Sequence, residues 1–423
     1  MTDRVTDGAA VEAAIADAHR REWARVLAAT TRVARDLDLA EECVQEAYAA
    51  ALRTWAGTGI PDSPAAWLTT TARRRAIDAI RRDASLRSRL PLLVEPGEAD
   101  GAAGMLEPDA GTIPDERLRL IFTCCHPALA QEAQVALTLR LICGVPTADI
   151  ARAFLVSEAT VAARVTRAKK KISAARIPYR VPRPAELPDR LRAVLAVIHL
   201  LFTAGHTAPS GASLVRPDLV DRAMHLARML AELMPDDTEV RGLHALLLVT
   251  DARRATRAGP DGRLVRLAEQ DRSQWDRTAL AEAREMIVGC LRAGPPGRYV
   301  LQAAIASLYA EAPSCDQTDW PQIVALYDKL LEAWPSPVVA LNRAVPLAMA
   351  AGPEAALAEV EELERDGRLS GYHYLPAVKA DLLSRLGRAA EAAACYRRAL
   401  GLAANEPERA FLAEQLAEHT RPA

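Results

Sequence analysis

Apolar positions along this chain recur three and four apart almost throughout, the spacing that gives an α-helix one buried face, and no sustained Val/Ile/Thr alternation of the strand kind appears. The most sharply patterned stretch is Thr147 to Lys171, TADIARAFLVSEATVAARVTRAKKK. Ile150, Ala151 and Phe154 share the inward side of a first short helix, and Val161 and Val165 that of a second. Leu155 and Val156 form the corner. Ser157 suits the N-cap of the second helix, because its hydroxyl can accept a backbone N–H that helical geometry leaves unpaired. Glu158, Thr160, Arg164 and Arg167 then fall outward, followed by Lys169, Lys170 and Lys171. This spacing predicts a helix-turn-helix whose second helix reads.

The same patterning divides the rest of the chain. Residues 1–15 are Ala-rich and polar and read as a frayed end. Two helices are expected from Ala16 to about Trp55, with Asp36 to Leu39 between them. The second, AEECVQEAYAAALRTW, sets Glu41, Glu42, Gln45 and Glu46 along one side and Val44, Tyr48 and Leu52 along another. Such an acidic side suits a basic partner, although a solvated face has the same pattern. GTGIPDSP, residues 57–64, is a loop by composition, and Pro64 fits the first turn of the next helix. That helix places Trp67, Leu68, Ala72, Ala76, Ile77 and Ile80 together and sends Arg73, Arg74, Arg75, Arg81 and Arg82 elsewhere.

Pro91 to Asp115, rich in Gly, Pro and acid, reads as a flexible tether, and Glu116 to Cys143 as one or two supporting helices. The four prolines of IPYRVPRPAELP mark another boundary. From about Arg190 to Glu418 a helical array is expected. Its clearest unit is Ala380, Leu383, Gly387, Ala392, Tyr396 and Ala399, and its second-helix signature recurs at Ala356/Val360/Leu363, Ile323/Tyr327/Leu330, Ala283/Ile287/Cys290 and Ala223/Ala227/Leu230. The last two steps, 33 and 36 residues, bracket the tetratricopeptide period of about 34. DGRLVRLAEQDRSQWD, Asp261 to Asp276, is too polar for a core helix and suits a loop pinned by Trp275, or else a docking surface.

Composition narrows the function. A chain of 423 residues exceeds one core, so two to four domains are expected. No apolar run reaches the roughly 18 residues of a membrane span and no signal pattern opens the chain, which predicts a cytoplasmic protein away from membranes. Seven cysteines without paired spacing fit reduced thiols, and Cys124, Cys125 and His126 lack the second ligand pair of a closed zinc site, so neither metal nor cofactor is expected. His199, His206 and Asp218 come with no nucleophile motif or Gly-rich phosphate loop, which argues against an enzyme. Net charge is only −2, so any nucleic-acid contact must be local. Two clusters supply it: Arg73 to Arg89 holds seven Arg against two Asp, and Arg164 to Arg180 holds seven Lys or Arg and no acid. Such clusters neutralise phosphates and release counterions.

LAEECVQEAYAAALRTW, PAAWLTTTARRRAIDAIRR and TADIARAFLVSEATVAARVTRAKKKI, in this order, resemble a bacterial RNA polymerase sigma factor of the extracytoplasmic-function (sigma-70-like) family. LLFTAGHTAPSG, Asp261–Asp276 and SPVVALNRAV look like the subgroup with a C-terminal tetratricopeptide-like extension. The resemblance implies an all-α chain: sigma region 2 at residues 16–90, an acidic flexible linker at 91–115, sigma region 4 at 116–177, a Pro-rich linker at 178–188 and an α-solenoid at 189–420. It implies that Glu41, Glu42, Gln45 and Glu46 lie on the helix that docks on the beta-prime clamp of core RNA polymerase, with the beta flap as a second contact. The loop with Ile60, Asp62 and Ser63 would take a flipped base of the minus-10 element, Trp67 packing beneath it while Arg73, Arg74 and Arg81 hold the backbone. Ser157, Glu158, Thr160, Arg164, Arg167, Lys169 and Lys170 would serve the minus-35 element, Arg reading guanine and Lys meeting phosphate. The extension would regulate in cis, through a protein or ligand on a concave repeat surface.

Pro146 stands where these proteins often have a capping Ser, so the first helix of the pair begins with Pro or uses Thr147. Ala162 and Ala163 replace polar residues of the reading helix, which leaves fewer side chains for base edges. A different reading is a free-standing helix-turn-helix regulator with a tetratricopeptide protein- or ligand-binding domain. It leaves the acidic helix and the Trp67 loop without a role.

Overall fold

The computed structural model describes residues 8–89, 116–154, 156–208, 211–259 and 262–420. The expected linker at 91–115, Leu155 of the corner and Asp261 of the polar loop lie outside them. Helices supply the regular structure of the described residues, together with two isolated backbone bridges, Gly211 with Asn405 and Ala258 with Leu264. The chain divides into two compact units, Met1–Val197 and Ile198–Ala423.

In the first unit α1 (Gly8–Ala34), α2 (Leu37–Thr58) and α3 (Pro64–Arg89) pack on one another. Two expectations shift here. Residues 8–15 are helical rather than frayed, because Val11 and Ala18, two turns apart, continue the buried stripe of α1. The Asp36–Leu39 connection shrinks to Arg35 and Asp36: Arg35 turns the chain at φ 54°, and the Asp36 carboxylate accepts from the Leu39 amide at 2.8 Å, capping α2 a turn earlier than the spacing suggests. Leu68, Ala72 and Ala76 are buried as expected, but Leu52, Ile77 and Ile80 stay exposed, since α2 and α3 each cover only part of their apolar arc.

α4 (Glu116–Cys124) and α5 (Gln131–Leu137) follow, and α5 runs on into a wider π-type turn, Thr138–Ile142. α6 (Thr147–Phe154) starts at Thr147, with the Pro146 carbonyl accepting from the Asp149 and Ile150 amides. α7 (Glu158–Ala174) is capped by Ser157, whose hydroxyl accepts from the Thr160 amide at 3.1 Å, and it buries Val161, Val165, Ala168 and Ile172. Cys124 and Cys125 are buried free thiols, and Cys125 Sγ sits 3.4 Å from Thr138 Oγ1. The neighbouring His126 Nδ1 accepts from the Ala128 amide.

α8 (Leu187–His206) runs through the boundary between the units. The second unit continues with α9 (Pro217–Leu233), α10 (Thr238–Asp251), α11 (Arg277–Ala293), α12 (Arg298–Glu311), α13 (Trp320–Ala333), α14 (Pro337–Ala351), α15 (Pro353–Asp366), α16 (Tyr374–Arg385), α17 (Ala389–Leu402) and α18 (Glu406–Thr420). Helices neighbouring in sequence pack as pairs, and α9, α11, α13, α15 and α17 carry the recurring signature: Ala223, Ala283, Ile323, Ala356 and Ala392 are all fully buried. Gly242 lets α10 approach α12 so closely that a Cβ there would lie 2.7 Å from the Val300 amide nitrogen. Buried Asn405 ties the start of α18 to the segment after α8, its side chain donating to the Ala208 and Ser213 carbonyls at 3.0 and 3.1 Å.

The polar segment before α11 is a pinned loop. Trp275 is buried, its indole N–H donates to Thr256 Oγ1 at 2.9 Å, and the Arg272 guanidinium lies over its ring. No helix among the described residues is long and apolar enough to cross a membrane.

Two buried histidines make this unit acid-sensitive. Burial, with Arg257 and Arg253 nearby, lowers His206 to about 3, and burial, with Arg228 nearby, lowers His244 to about 4, against an ordinary value of 6.5. Both rings bind protons more readily unfolded than folded, so stability is full above pH 6.5 and falls as pH drops toward the folded values. At pH 5 the loss is about 2 kcal/mol per histidine. Thermal melts at pH 7 and pH 5 should separate clearly, and less so for His206→Gln; an equal separation in that variant would remove His206 from the account.

Candidate nucleic-acid interface

Two arginine-bearing helix faces stand on this framework. On α3, Pro64 at the first turn and the burial of Leu68, Ala72 and Ala76 fix the helix rotation, which leaves Arg73, Arg74 and Arg81 exposed as expected. Arg75 instead closes onto Glu46 of α2. The loop before α3 begins at Gly59, whose φ of 84° turns the chain away from α2 and whose amide donates to the Trp55 carbonyl at 3.0 Å. Ile60, Asp62 and Ser63 are exposed on it. Trp67, in the first turn of α3, is half-buried, its ring edge-on to the fully buried Trp55 at 5.5 Å.

On α7, the buried stripe Val161, Val165, Ala168 and Ile172 turns Glu158, Arg167 and Lys170 outward, with Thr160 and Arg164 half-exposed at its edge. Ser157 is occupied in the cap, its hydroxyl also 2.8 Å from Thr160 Oγ1. Lys169 faces the other way. Its ammonium donates to Asp38 at 2.6 Å and Glu41 at 2.8 Å, both on α2, and its side chain is 8% exposed. Burial alone would lower its pKa, but the hydrogen bonds to the two carboxylates outweigh that and hold it above the ordinary lysine range.

The acidic side of α2 is split in the same way. Glu42, Gln45 and Glu46 are exposed, whereas Glu41 is buried and answered on one oxygen by Lys169 and on the other by Arg140 at 2.5 Å. Gln45 donates to Glu41 at 3.1 Å. Asp38 and Arg140 are the residues that sequence reasoning missed. Arg140 carried a signal, being the lone charge in the apolar run VALTLRLIC, where burial demands a partner. Asp38 carried none.

The seam around these charges is close and hydrogen-bonded. Trp23 of α1 donates its indole N–H to the Leu141 carbonyl at 3.0 Å, and Gly144, at φ 64°, sits where a Cβ would lie 2.7 Å from His19 and 2.9 Å from Trp23. Tyr179 donates to the Ala28 carbonyl at 3.1 Å, and Arg32 pairs with Glu116.

Comparison with known proteins gives three family matches: Sigma-70 region 2 over residues 16–85, Sigma-70 region 4 over residues 119–172, and a family of unknown function (DUF6596) over residues 190–290. An uncharacterized protein of Rhizobium meliloti (strain 1021) is 44% identical over 394 residues, 93% of this chain and 92% of its own length. The ECF RNA polymerase sigma factor SigK of Mycobacterium sp. (strain KMS) is 29% identical over 162 residues, 36% of this chain and 77% of its own. The probable ECF RNA polymerase sigma factor SigI of Mycobacterium tuberculosis (strain CDC 1551 / Oshkosh) is 27% identical over 146 residues, 34% of this chain and 50% of its own.

Proposed function

We infer, for a chain that belongs to one family with the Rhizobium meliloti protein and to the sigma-70-like sigma factors through its regions 2 and 4, that it directs core RNA polymerase to promoters bearing minus-35 and minus-10 elements. The observation that carries this reading is the pairing of each matched segment with its own arginine face, α3 in the first and α7 in the second. At family level such a protein binds polymerase, acts in transcription initiation and is not an enzyme.

The finer assignment follows from placement. Glu42, Gln45 and Glu46 offer an exposed acidic row to a basic clamp. Ile60, Asp62 and Ser63, exposed on the loop that leads into α3, take an unstacked base beside half-buried Trp67, while Arg73, Arg74 and Arg81 hold the strand's phosphates. Arg164 and Arg167 read base edges in the major groove, and Lys170 meets phosphate. The helical array acts in cis on these two modules, through a bound protein or ligand.

Run-off transcription with purified core polymerase tests the reading. A sigma factor yields a defined start, whereas a free-standing regulator binds duplex DNA and initiates nothing. Removing the array should change the yield, and an unchanged yield counts against regulation in cis. The cut belongs after Val197, since Arg190, within the first unit, donates to the Phe122 carbonyl and would be lost by a cut before α8.

A further inference from the structure

One residue of the helix assigned to polymerase, Glu41, and one of the basic run assigned to the minus-35 element, Lys169, meet each other in this structure. Glu41, on the acidic side of α2, is buried between Arg140 and Lys169, and Lys169 belongs to the basic run of the reading helix. Asp38 completes the network on Lys169. Around it the Trp23–Leu141 hydrogen bond, the close approach of Gly144 to His19 and Trp23, and the Tyr179–Ala28 hydrogen bond join α1 to the module carrying α7.

A promoter-bound sigma factor cannot keep this arrangement. Elements centred near positions −35 and −10 lie roughly 25 base pairs apart, which at about 3.4 Å per pair is about 85 Å of duplex. Here a side chain of the reading helix touches the helix assigned to the clamp. We propose that the free chain holds itself closed, with Arg140 and Lys169 standing in for the basic surface of the polymerase clamp on Asp38 and Glu41, so that core enzyme must displace the chain's own cations before it can dock. The proposal rests on the sigma reading above. It makes the salt bridges an internal competitor: every state with Lys169 on Glu41 withholds that carboxylate from polymerase and the lysine from DNA. Apparent affinity for core is then the intrinsic affinity reduced by the open fraction.

The test uses the full-length chain with Arg140→Ala and Lys169→Ala, which leave Asp38, Glu41 and the exposed acidic row in place. Binding to purified core polymerase, followed by anisotropy of the labelled chain, should tighten about tenfold if the closed form outnumbers the open by that ratio. Hydrogen exchange without polymerase should quicken in α2, α7 and the Thr138–Gly144 segment while α3, in the same unit, keeps its protection, which shows that the first unit of the variant is folded. If the double change unfolds the first unit, Lys169→Gln, which keeps Arg140 on Glu41, makes the same comparison with a smaller shift in the same direction. Faster seam exchange with unchanged core affinity overturns the masking, and so does unchanged seam exchange. Failure of every version to bind core, wild type included, overturns the sigma reading itself, and the exchange measurement tells the two failures apart.

Discussion

Reversing Arg164 and Arg167 to glutamate should lower run-off transcription from a minus-35-dependent promoter by about 100-fold or more, with little change in thermal stability. Both side chains lie outside the buried stripe of α7, and neither holds a partner among the described residues, so their loss removes nothing that supports the fold. Each bidentate contact to guanine is worth about 1–3 kcal/mol of discrimination, and a carboxylate at the same place adds repulsion from base acceptors and phosphates. Two such losses combine to a factor of about 100 or more. Lys170→Ala should instead weaken binding alike on all sequences and reduce the salt slope by about one. Transcription that survives the double reversal would remove α7 from promoter reading. Equal weakening on matched and unmatched DNA would make its arginines phosphate contacts only.

Much of the scaffold for these residues was legible because local chemistry specified it. Ser157 and Pro64 mark helix starts through the backbone groups they satisfy or lack, and the recurring signature of α9, α11, α13, α15 and α17 begins at positions, Ala223, Ala283, Ile323, Ala356 and Ala392, that are fully buried. The exposed arginines of α3 followed from the burial of Leu68, Ala72 and Ala76. What periodicity does not report is the partner across the core. Glu41 and Lys169 are 128 residues apart and each lies in a charged run that suits solvent equally well, so only the fold shows which member of each run turns inward. The π-type turn at Thr138–Ile142 was hidden for another reason: in a run that is apolar but for Thr138 and Arg140, too few polar positions recur to reveal one extra residue per turn. Leu52, Ile77 and Ile80 show the converse, apolar residues at helical spacing left exposed among the described residues.

The loop assigned to the minus-10 element depends on a residue that never touches it from outside. Trp55→Ala should cost about 3–5 kcal/mol, because the indole is fully buried and its removal leaves a cavity among α-helices that close only in part. For the first unit this corresponds to a fall of about 10 °C or more in melting temperature. The damage should extend to function before the fold is lost. The Trp55 ring is the edge against which Trp67 rests, so the substitution removes the packing under the first turn of α3 while the backbone bond from the Gly59 amide to the carbonyl of residue 55 remains. Promoter opening, read by permanganate reactivity of unpaired thymines at a temperature where the variant remains folded, should drop sharply while binding to duplex minus-35 DNA holds. Trp67→Ala separates the two roles: this ring is half-buried, so stability should fall less while opening falls comparably. If Trp67→Ala opens the promoter as the wild type does, the aromatic floor has no part in holding the melted strand, and the loss in Trp55→Ala is a loss of folding alone.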